Sequence, residues 1–309
     1  KVLITGSSGF LGSKICKILS DLNHEVTGID VKSPNIKIKN VIYHNLKLLD
    51  FLSDNNDLNN FDLIIHTASI LPYKSKEEEL VETNLKSTEE LINNISKSTR
   101  PFFIYISSSG IYGKPKDTPI TNTTSFNPLD VYAKTKIVSE EYIKDNLDVK
   151  KYAIIRPRTI LGETRGGIFD IFFKLIKYGI PLPLPNNGKQ KLQFVDVEDV
   201  ASFTVFLGIN FISGVWPAAG PEPIQLKKHL NNLEKIINKK IYTININPTL
   251  FKIIGNILIN LKITNFTKWH FGAFPYDNYF DESWRHKDFN YIYSSNDTFL
   301  RCAKGYFKY

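Results

Sequence analysis

Over the first half of the chain, short apolar runs alternate with longer stretches whose apolar residues recur at helical spacing. Val2-Leu3-Ile4, Phe61–Ala68, Phe102–Ser107 and Tyr152–Pro157 are built on near-continuous apolar runs, the pattern of strands covered on both faces. Glu25–Asp30 predicts a further strand ending in a carboxylate, and Asn40–Asn45 a weakly alternating one. Between them, Leu11, Ile15, Ile18, Leu19 and Leu22 mark an amphipathic helix, and Lys47–Asp54 a short one. Lys76–Ser98 predicts one long helix, with Leu80, Asn84, Leu85, Leu91, Ile92 and Ile95 along a stripe. Lys114–Phe126 is polar and punctuated by proline, hence a loop. Pro128 and Asp130 then open a helix that runs from Leu129 to about Asn146. Strand and helix in strict alternation predict an α/β fold, a doubly wound parallel sheet with helices on both faces.

Beyond residue 160 the alternation fades. Gly166–Tyr178 predicts an apolar helix, and Ile180–Gly188, with three prolines, a loop. Phe194–Ala201 reads as a strand feeding a helix, Gly214–Gly220 as a strand, Pro223–Lys239 as an amphipathic helix and Lys240–Ile246 as a strand. The expected organisation is a nucleotide-binding domain over residues 1–160, with part of 190–220 returning to its sheet. A smaller substrate-binding lobe then takes up 161–309.

Composition narrows the class. A hydrophobic content of 42% and a charged content of 23% are those of a folded protein with a sizeable core. The net charge of +8 comes from scattered Lys and Arg rather than one aromatic-interleaved block, so it speaks for anionic small molecules and against a nucleic-acid partner. Two cysteines, Cys16 and Cys302, provide neither a disulfide framework nor metal-ligand spacing. No metal is expected. Cys16, between apolar neighbours, reads as a small core residue rather than a nucleophile. The chain opens on a core-type strand with no signal-peptide pattern, and the expectation is a reducing cytoplasm. No run of about 18 apolar residues predicts a spanning helix.

Candidate chemistry begins at Thr5–Gly12, where Gly6, Gly9 and Gly12 fall between the first strand and the first helix. Strand, glycine turn and helix together form a phosphate-binding context: glycine permits the turn, and backbone N–H groups at the helix's positive end can meet a pyrophosphate. Asp30 follows Gly12 by 18 residues and ends the next strand, the place for an acid on an adenosine ribose. A carboxylate there repels a 2′-phosphate and favours NAD over NADP, although Lys32 lies close enough in sequence to act the other way. Tyr132 and Lys136 lie one turn apart on a helix. A free tyrosine has a pKa of about 10, and an adjacent ammonium stabilises its phenolate, which makes Tyr132 a candidate general base.

With these motifs in this order, the chain resembles the extended short-chain dehydrogenase/reductases, the NAD-dependent epimerase/dehydratase group. The resemblance runs over about residues 1–205 and carries Thr5–Gly12, Asp30, His66-Thr67-Ala68, Asn84, Ser107–Gly113, Tyr132/Lys136, Arg156-Pro157 and Phe194–Ala201. It implies that Tyr132 is the catalytic base, that Lys136 holds the nicotinamide ribose and that Ser108 hydrogen-bonds the reacting oxygen. It places Gly6, Ser8, Gly9, Phe10, Leu11 and Gly12 on the diphosphate, Asp30 on the adenosine ribose, and Asn45 and Leu46 against the adenine. Thr67, Ala68 and Ser69 fall beside the ribose and diphosphate, Asn84 near the ribose and proton path, and Pro157 near the nicotinamide. The implied cofactor is NAD rather than NADP. The implied substrate is a nucleotide sugar, and the implied assembly is a homodimer through Lys76–Ser98 and Leu129–Asn146.

Three departures bear on the reaction. Ser109 and Gly110 stand where sugar-nucleotide dehydratases carry an acid pair, so elimination lacks its acid and base. Leu192 stands where many relatives have an arginine for the substrate diphosphate. Its neighbours Lys191 and Gln193, with Ser109, are the candidate substrate contacts. The usual C-terminal Leu-Gly-aromatic-x-Pro ending is absent. A reductase of a less polar ketone therefore stands beside the epimerase reading, and a non-catalytic nucleotide sensor stands as a third. Leu250–Ile263 is apolar with interspersed Lys and Asn, and has two readings: a lid or core helix of the substrate lobe, or an interfacial helix that admits a lipid-like substrate. Trp216, Trp284 and Arg285 are further pocket candidates, and His270 and His286 have no metal-ligand spacing.

Overall fold

A computed structural model describes residues 1–54, 57–72, 75–163, 169–261 and 266–308. In chain order, β1 (Val2–Thr5), α1 (Gly12–Asp21), β2 (Val26–Asp30), β3 (Val41–Asn45), α2 (Leu48–Ser53) and β4 (Leu63–His66) follow the predicted alternation. Then come α3 (Glu77–Val81), α4 (Ser87–Ser96), β5 (Phe102–Ile106), α5 (Val131–Asn146), β6 (Tyr152–Pro157), β7 (Thr159–Leu161) and α6 (Phe169–Lys177). The remainder is β8 (Leu182–Pro185), β9 (Lys191–Leu192), β10 (Phe194–Asp196), α7 (Val197–Ile209), β11 (Gly214–Ala218), β12 (Ile224–Gln225) and α8 (Leu226–Ile237). The chain closes with β13 (Thr243–Ile246), α9 (Pro248–Asn260), α10 (Lys268–Ala273) and α11 (Ser295–Phe307).

The chain divides into two compact units. The first comprises 1–108, 131–157 and 200–218. Among the described residues its sheet has seven strands in the order β11-β6-β5-β4-β1-β2-β3, every neighbouring pair parallel. The order runs outward from β1 in both directions, the doubly wound arrangement in which ligands meet the carboxyl ends of the strands. Its core joins Leu3, Ile64, Phe103, Tyr105 and Ile154 from the strands to Leu91, Ile92, Ile95 and Ile143 from α4 and α5. These are the apolar runs and stripes read above, so the hydrophobic pattern is what assembles this unit.

The second unit comprises 109–130, 158–199 and 219–309. Residues 109–130 lie in it, although the sequence suggested the first unit. The cause is their bonding: Ile120 N–H donates to Tyr279 O at 2.8 Å, and Asn278 Nδ2 donates to Gly113 O at 3.0 Å. Its core is aromatic, with Phe169, Phe173, Phe194 and Phe299 in mutual edge and stacked contacts at centroid separations of 5.0–6.5 Å.

Two predicted elements come out differently. The helix expected over Lys76–Ser98 is broken at Glu82–Lys86 by a π-turn between α3 and α4. The loop expected over Ile180–Gly188 contains β8, paired parallel with β13. Its prolines, Pro183 and Pro185, fall at alternate positions, so their missing N–H groups face away from β13, while Leu182 N–H donates to Tyr242 O at 2.8 Å. The predicted start of α6 at 166–168 lies outside the described residues. Cys16 and Cys302 are both buried free thiols, and burial pushes each up to about 12.

Candidate active site

The turn between β1 and α1 is built on Gly6, whose φ of +73° is open to glycine and costly to other residues. A Cβ there would also meet Ala68 N at 2.7 Å and Thr67 Oγ1 at 2.8 Å. Thr67 locks the same turn from the end of β4, its hydroxyl donating to Thr5 O at 2.8 Å. Gly12 makes room for Gly6 O within the turn itself. No side chain caps α1 and its first turn carries no acid. The hydroxyls of Ser7, Ser8 and Ser69 are buried with no protein partner, and Ser8 and Ser69 are among the predicted cofactor contacts. Phe10 and Leu11 complete the turn.

Asp30 ends β2 beside this turn. Its Oδ2 accepts from Ser8 N–H at 3.1 Å and its Oδ1 from Lys32 N–H at 2.9 Å. The Lys32 backbone thus serves to fix the carboxylate. Asn45, the register partner of Asp30 on β3, is exposed and donates through Nδ2 to Ser33 Oγ. Leu46 next to it packs at the edge of the core. Asn84 lies within the π-turn and is buried. Its Oδ1 accepts from Ile70 N–H at 2.8 Å and its Nδ2 donates to Ile70 O at 3.0 Å. The side chain expected near a ribose therefore fastens the segment that follows Thr67, Ala68 and Ser69.

The centre of the first unit is α5 against the end of β5. Lys136 is 2% exposed, and its Nζ donates to Ile106 O at 2.9 Å. The ammonium stands 4.7 Å from the Tyr105 ring centroid and 5.8 Å from that of Tyr132. Burial lowers its pKa to about 7, and the Glu140 carboxylate one turn further along α5 partly offsets this. Glu140 is fully buried and accepts from Ser107 Oγ at 2.6 Å, from Arg156 Nε at 2.9 Å and from Arg156 Nη2. Through Glu140 the end of β5, the end of β6 and the middle of α5 become one hydrogen-bonded body, and Ser108 follows directly on Ser107. Sequence reading passed over Glu140; its signal was the continued four-residue spacing Tyr132, Lys136, Glu140. Behind it, His66 is buried with Nδ1 2.6 Å from Thr5 Oγ1 and Nε2 2.9 Å from Thr88 Oγ1. Burial holds its pKa down at about 3, so the ring is neutral at physiological pH. Pro157 is buried at the end of β6.

The predicted substrate contacts lie in the second unit. Ser109 is buried at the start of a short 3-10 turn. Gln193 is 1% exposed, with Nε2 donating to Gly220 O at 2.9 Å and Oε1 accepting from Phe280 N–H at 2.8 Å. Its amide braces two backbone segments and is not offered outward. Lys191 is exposed with its Nζ 5.5 Å from the Tyr279 ring centroid, while Leu192 is buried in the aromatic core. Arg158 was also passed over. It is buried, Nη1 donates to Asn278 Oδ1 at 2.7 Å, and burial lowers its pKa to about 9.

A doubly wound parallel sheet, a glycine turn at the first helix and a buried lysine one turn after a tyrosine define a nucleotide-dependent oxidoreductase-type fold. The chain belongs to the NAD-dependent epimerase/dehydratase family, which it matches over residues 2–213. It is 31% identical over 205 residues to the uncharacterized protein y4nG of Sinorhizobium fredii, a match covering 65% of this chain and 51% of that relative; the chain thus spans about half that relative's length. It is 28% identical over 267 residues to the uncharacterized UDP-glucose epimerase YtcB of Bacillus subtilis, covering 78% of this chain and 83% of YtcB. In fold it is similar to UDP-glucuronic acid 4-epimerase from Bacillus cereus, solved in complex with NAD, at a TM-score of 0.75 and 21% identity, with 99% of this chain and 98% of that one covered. An anionic dinucleotide suits the residues present: the Gly6 turn has no room for a Cβ, the α1 N-terminus is uncapped, and three hydroxyls around it lack protein partners.

Proposed function

We propose that the chain is an NAD-dependent enzyme that epimerises a nucleotide sugar at a hydroxyl-bearing carbon. The observation that carries this is the buried Lys136 one turn after Tyr132, held by Ile106 O at the end of the central strand β5. The names of the relatives support the substrate class. In this reading NAD, when bound, supplies the hydride acceptor and donor. Tyr132 Oη takes the proton from the substrate hydroxyl as the carbonyl forms and returns it when the alcohol is restored. The Lys136 charge lowers the cost of the Tyr132 phenolate and donates to the nicotinamide ribose. Ser108 Oγ donates to the same reacting oxygen. The Gly6–Gly12 turn with Ser8, Phe10 and Leu11 holds the diphosphate, and Asp30 accepts from the adenosine ribose hydroxyls, which favours NAD over NADP. Lys191 is the one predicted substrate contact with a free charge, so it meets the substrate diphosphate as a point charge. The protein works in the cytoplasm as a homodimer through α3–α4 and α5. Among the described residues no helix is long and apolar enough to cross a membrane.

The test is incubation of the purified protein with UDP-glucose, UDP-N-acetylglucosamine and UDP-glucuronic acid, read by NMR for the C4 epimer. The expected result is epimer formation from one of them without net nicotinamide reduction. Stoichiometric NADH consumption with a ketone substrate would favour the reductase reading, to which Leu192 in the core lends support.

A further inference from the structure

We propose that α9 docks the protein on an anionic lipid surface. Leu250, Ile253, Ile254, Ile257 and Leu261 are each between 41% and 63% exposed. Their spacing of three and four residues puts them on one stripe of the helix, about 100° wide at 3.6 residues per turn. Among the described residues of α9 only Gly255 is buried, and a Cβ there would strike the Phe271 ring. Phe251 packs on Phe271 at 5.2 Å between centroids. The helix is therefore held along one side by α10, and its other apolar side is turned to solvent. Lys252, Asn256 and Asn260 fall between the two faces as a polar border.

The helix is formed before any partner arrives. Asn247 caps it, Oδ1 accepting from Thr249 N–H at 2.9 Å, and Pro248 occupies its first turn. Binding then carries no cost of ordering a coil, unlike an amphipathic segment that folds on the surface.

The surrounding charge decides the occupant. From Lys235 to Tyr276 the sequence has six lysines and no aspartate or glutamate, whereas the whole chain has 31 acids in 309 residues. An apolar stripe with Lys252 beside it, in a stretch of chain that carries lysines and no acid, is complementary to anionic headgroups above an acyl interior. The same pattern disfavours a second copy of this face, because two such surfaces would bring lysines onto lysines. The inference does not rest on the proposed substrate.

Flotation of the full chain with vesicles tests it. The protein should float with vesicles of equal parts phosphatidylcholine and phosphatidylglycerol, stay behind with phosphatidylcholine alone, and be released by added salt. The exposed pair Ile253→Asp with Ile257→Asp should cut the bound fraction at least about tenfold. Lys252→Gln should cut it about fivefold, the equivalent of one lysine charge at the surface. Circular dichroism of both variants should match the parent, since none of the three side chains is in the core. A parent protein that ignores anionic vesicles overturns the proposal, as does a double aspartate variant that binds as the parent does. A double variant that sediments as a smaller species than the parent also overturns it, because a second copy would then cover the stripe.

Discussion

Helices α5 and α9 invert the usual distribution of charge and grease. Helix α5 carries Lys136 and Glu140 at 2% and 0% exposure, in a sequence with little amphipathic contrast. Helix α9 carries a stripe of leucine and isoleucine that is about half exposed. In α5, burial of charge is made tolerable by partners on β5 and β6: Glu140 has Arg156 and Ser107, and Lys136 has Ile106 O. In α9 the apolar stripe is about half exposed among the described residues of its own unit. A buried ionisable residue costs stability and an exposed apolar one forgoes it, which makes both helices places to look for function.

The largest expected effect is on turnover. Tyr132→Phe should lower the epimerisation rate by roughly 10²–10⁴-fold, the range for loss of a general base, with NAD affinity by calorimetry unchanged. Unaltered turnover would remove the catalytic role from α5. Next is Glu140→Leu, which removes the carboxylate that pairs with the buried Arg156; it should cost about 3–5 kcal/mol in urea denaturation. A comparable substitution on the α9 stripe, Ile257→Ser, should stay within about 0.5 kcal/mol of the parent in the same assay. Equal costs at both sites would erase the contrast between the two helices.

Lys136 gives a prediction of opposite sign for stability and binding. Its folded pKa of about 7 lies below the ordinary lysine value of 10.5, so holding its charge in the folded state is costly below pH 7 and less so as the pH rises. Lys136→Met should therefore raise stability, on the order of 2 kcal/mol at pH 6, while abolishing turnover. The ammonium is present below about pH 7 and lost above it, so NAD affinity should weaken as pH rises through that value. Fluorescence titration of the parent and the Met variant checks this: only the parent should show the pH dependence.

The buried histidines add an effect of similar size that appears only on acidification. Burial holds His66 at about 3 and His229 at about 4, against 6.5 for an ordinary histidine. Both are neutral when folded, so their contribution is complete above pH 6.5 and shrinks as pH falls and the unfolded chain takes up protons. Each should lower stability by up to about 1.4 kcal/mol per pH unit below 6.5, until its folded pKa is reached. Urea midpoints at pH 7 and pH 5 measure it, and a His66→Gln, His229→Gln pair should flatten the slope.

What could be read along the chain was what depends on local order. The apolar runs at β1, β4, β5 and β6, the glycine turn at Gly6 and the Tyr132–Lys136 spacing all lie within one element or across one turn, where periodicity translates directly into geometry. The dinucleotide fold and the candidate base followed from these alone. Pairing across the chain decided the rest. Prolines at 183 and 185 forbid a strand only if both edges need donors, and β13 supplies a partner on one edge alone. Asn84 and Gln193 look like polar residues available to ligands, and only the positions of Ile70, Gly220 and Phe280 reveal that their amides are used on backbone. The sequence leaves α9 between a lid or core helix and an interfacial one, because hydrophobicity states a preference for burial and not where burial is found. Tertiary structure assigns that place: Glu140 reaches it through partners distant in sequence, and α9 keeps one face outside it.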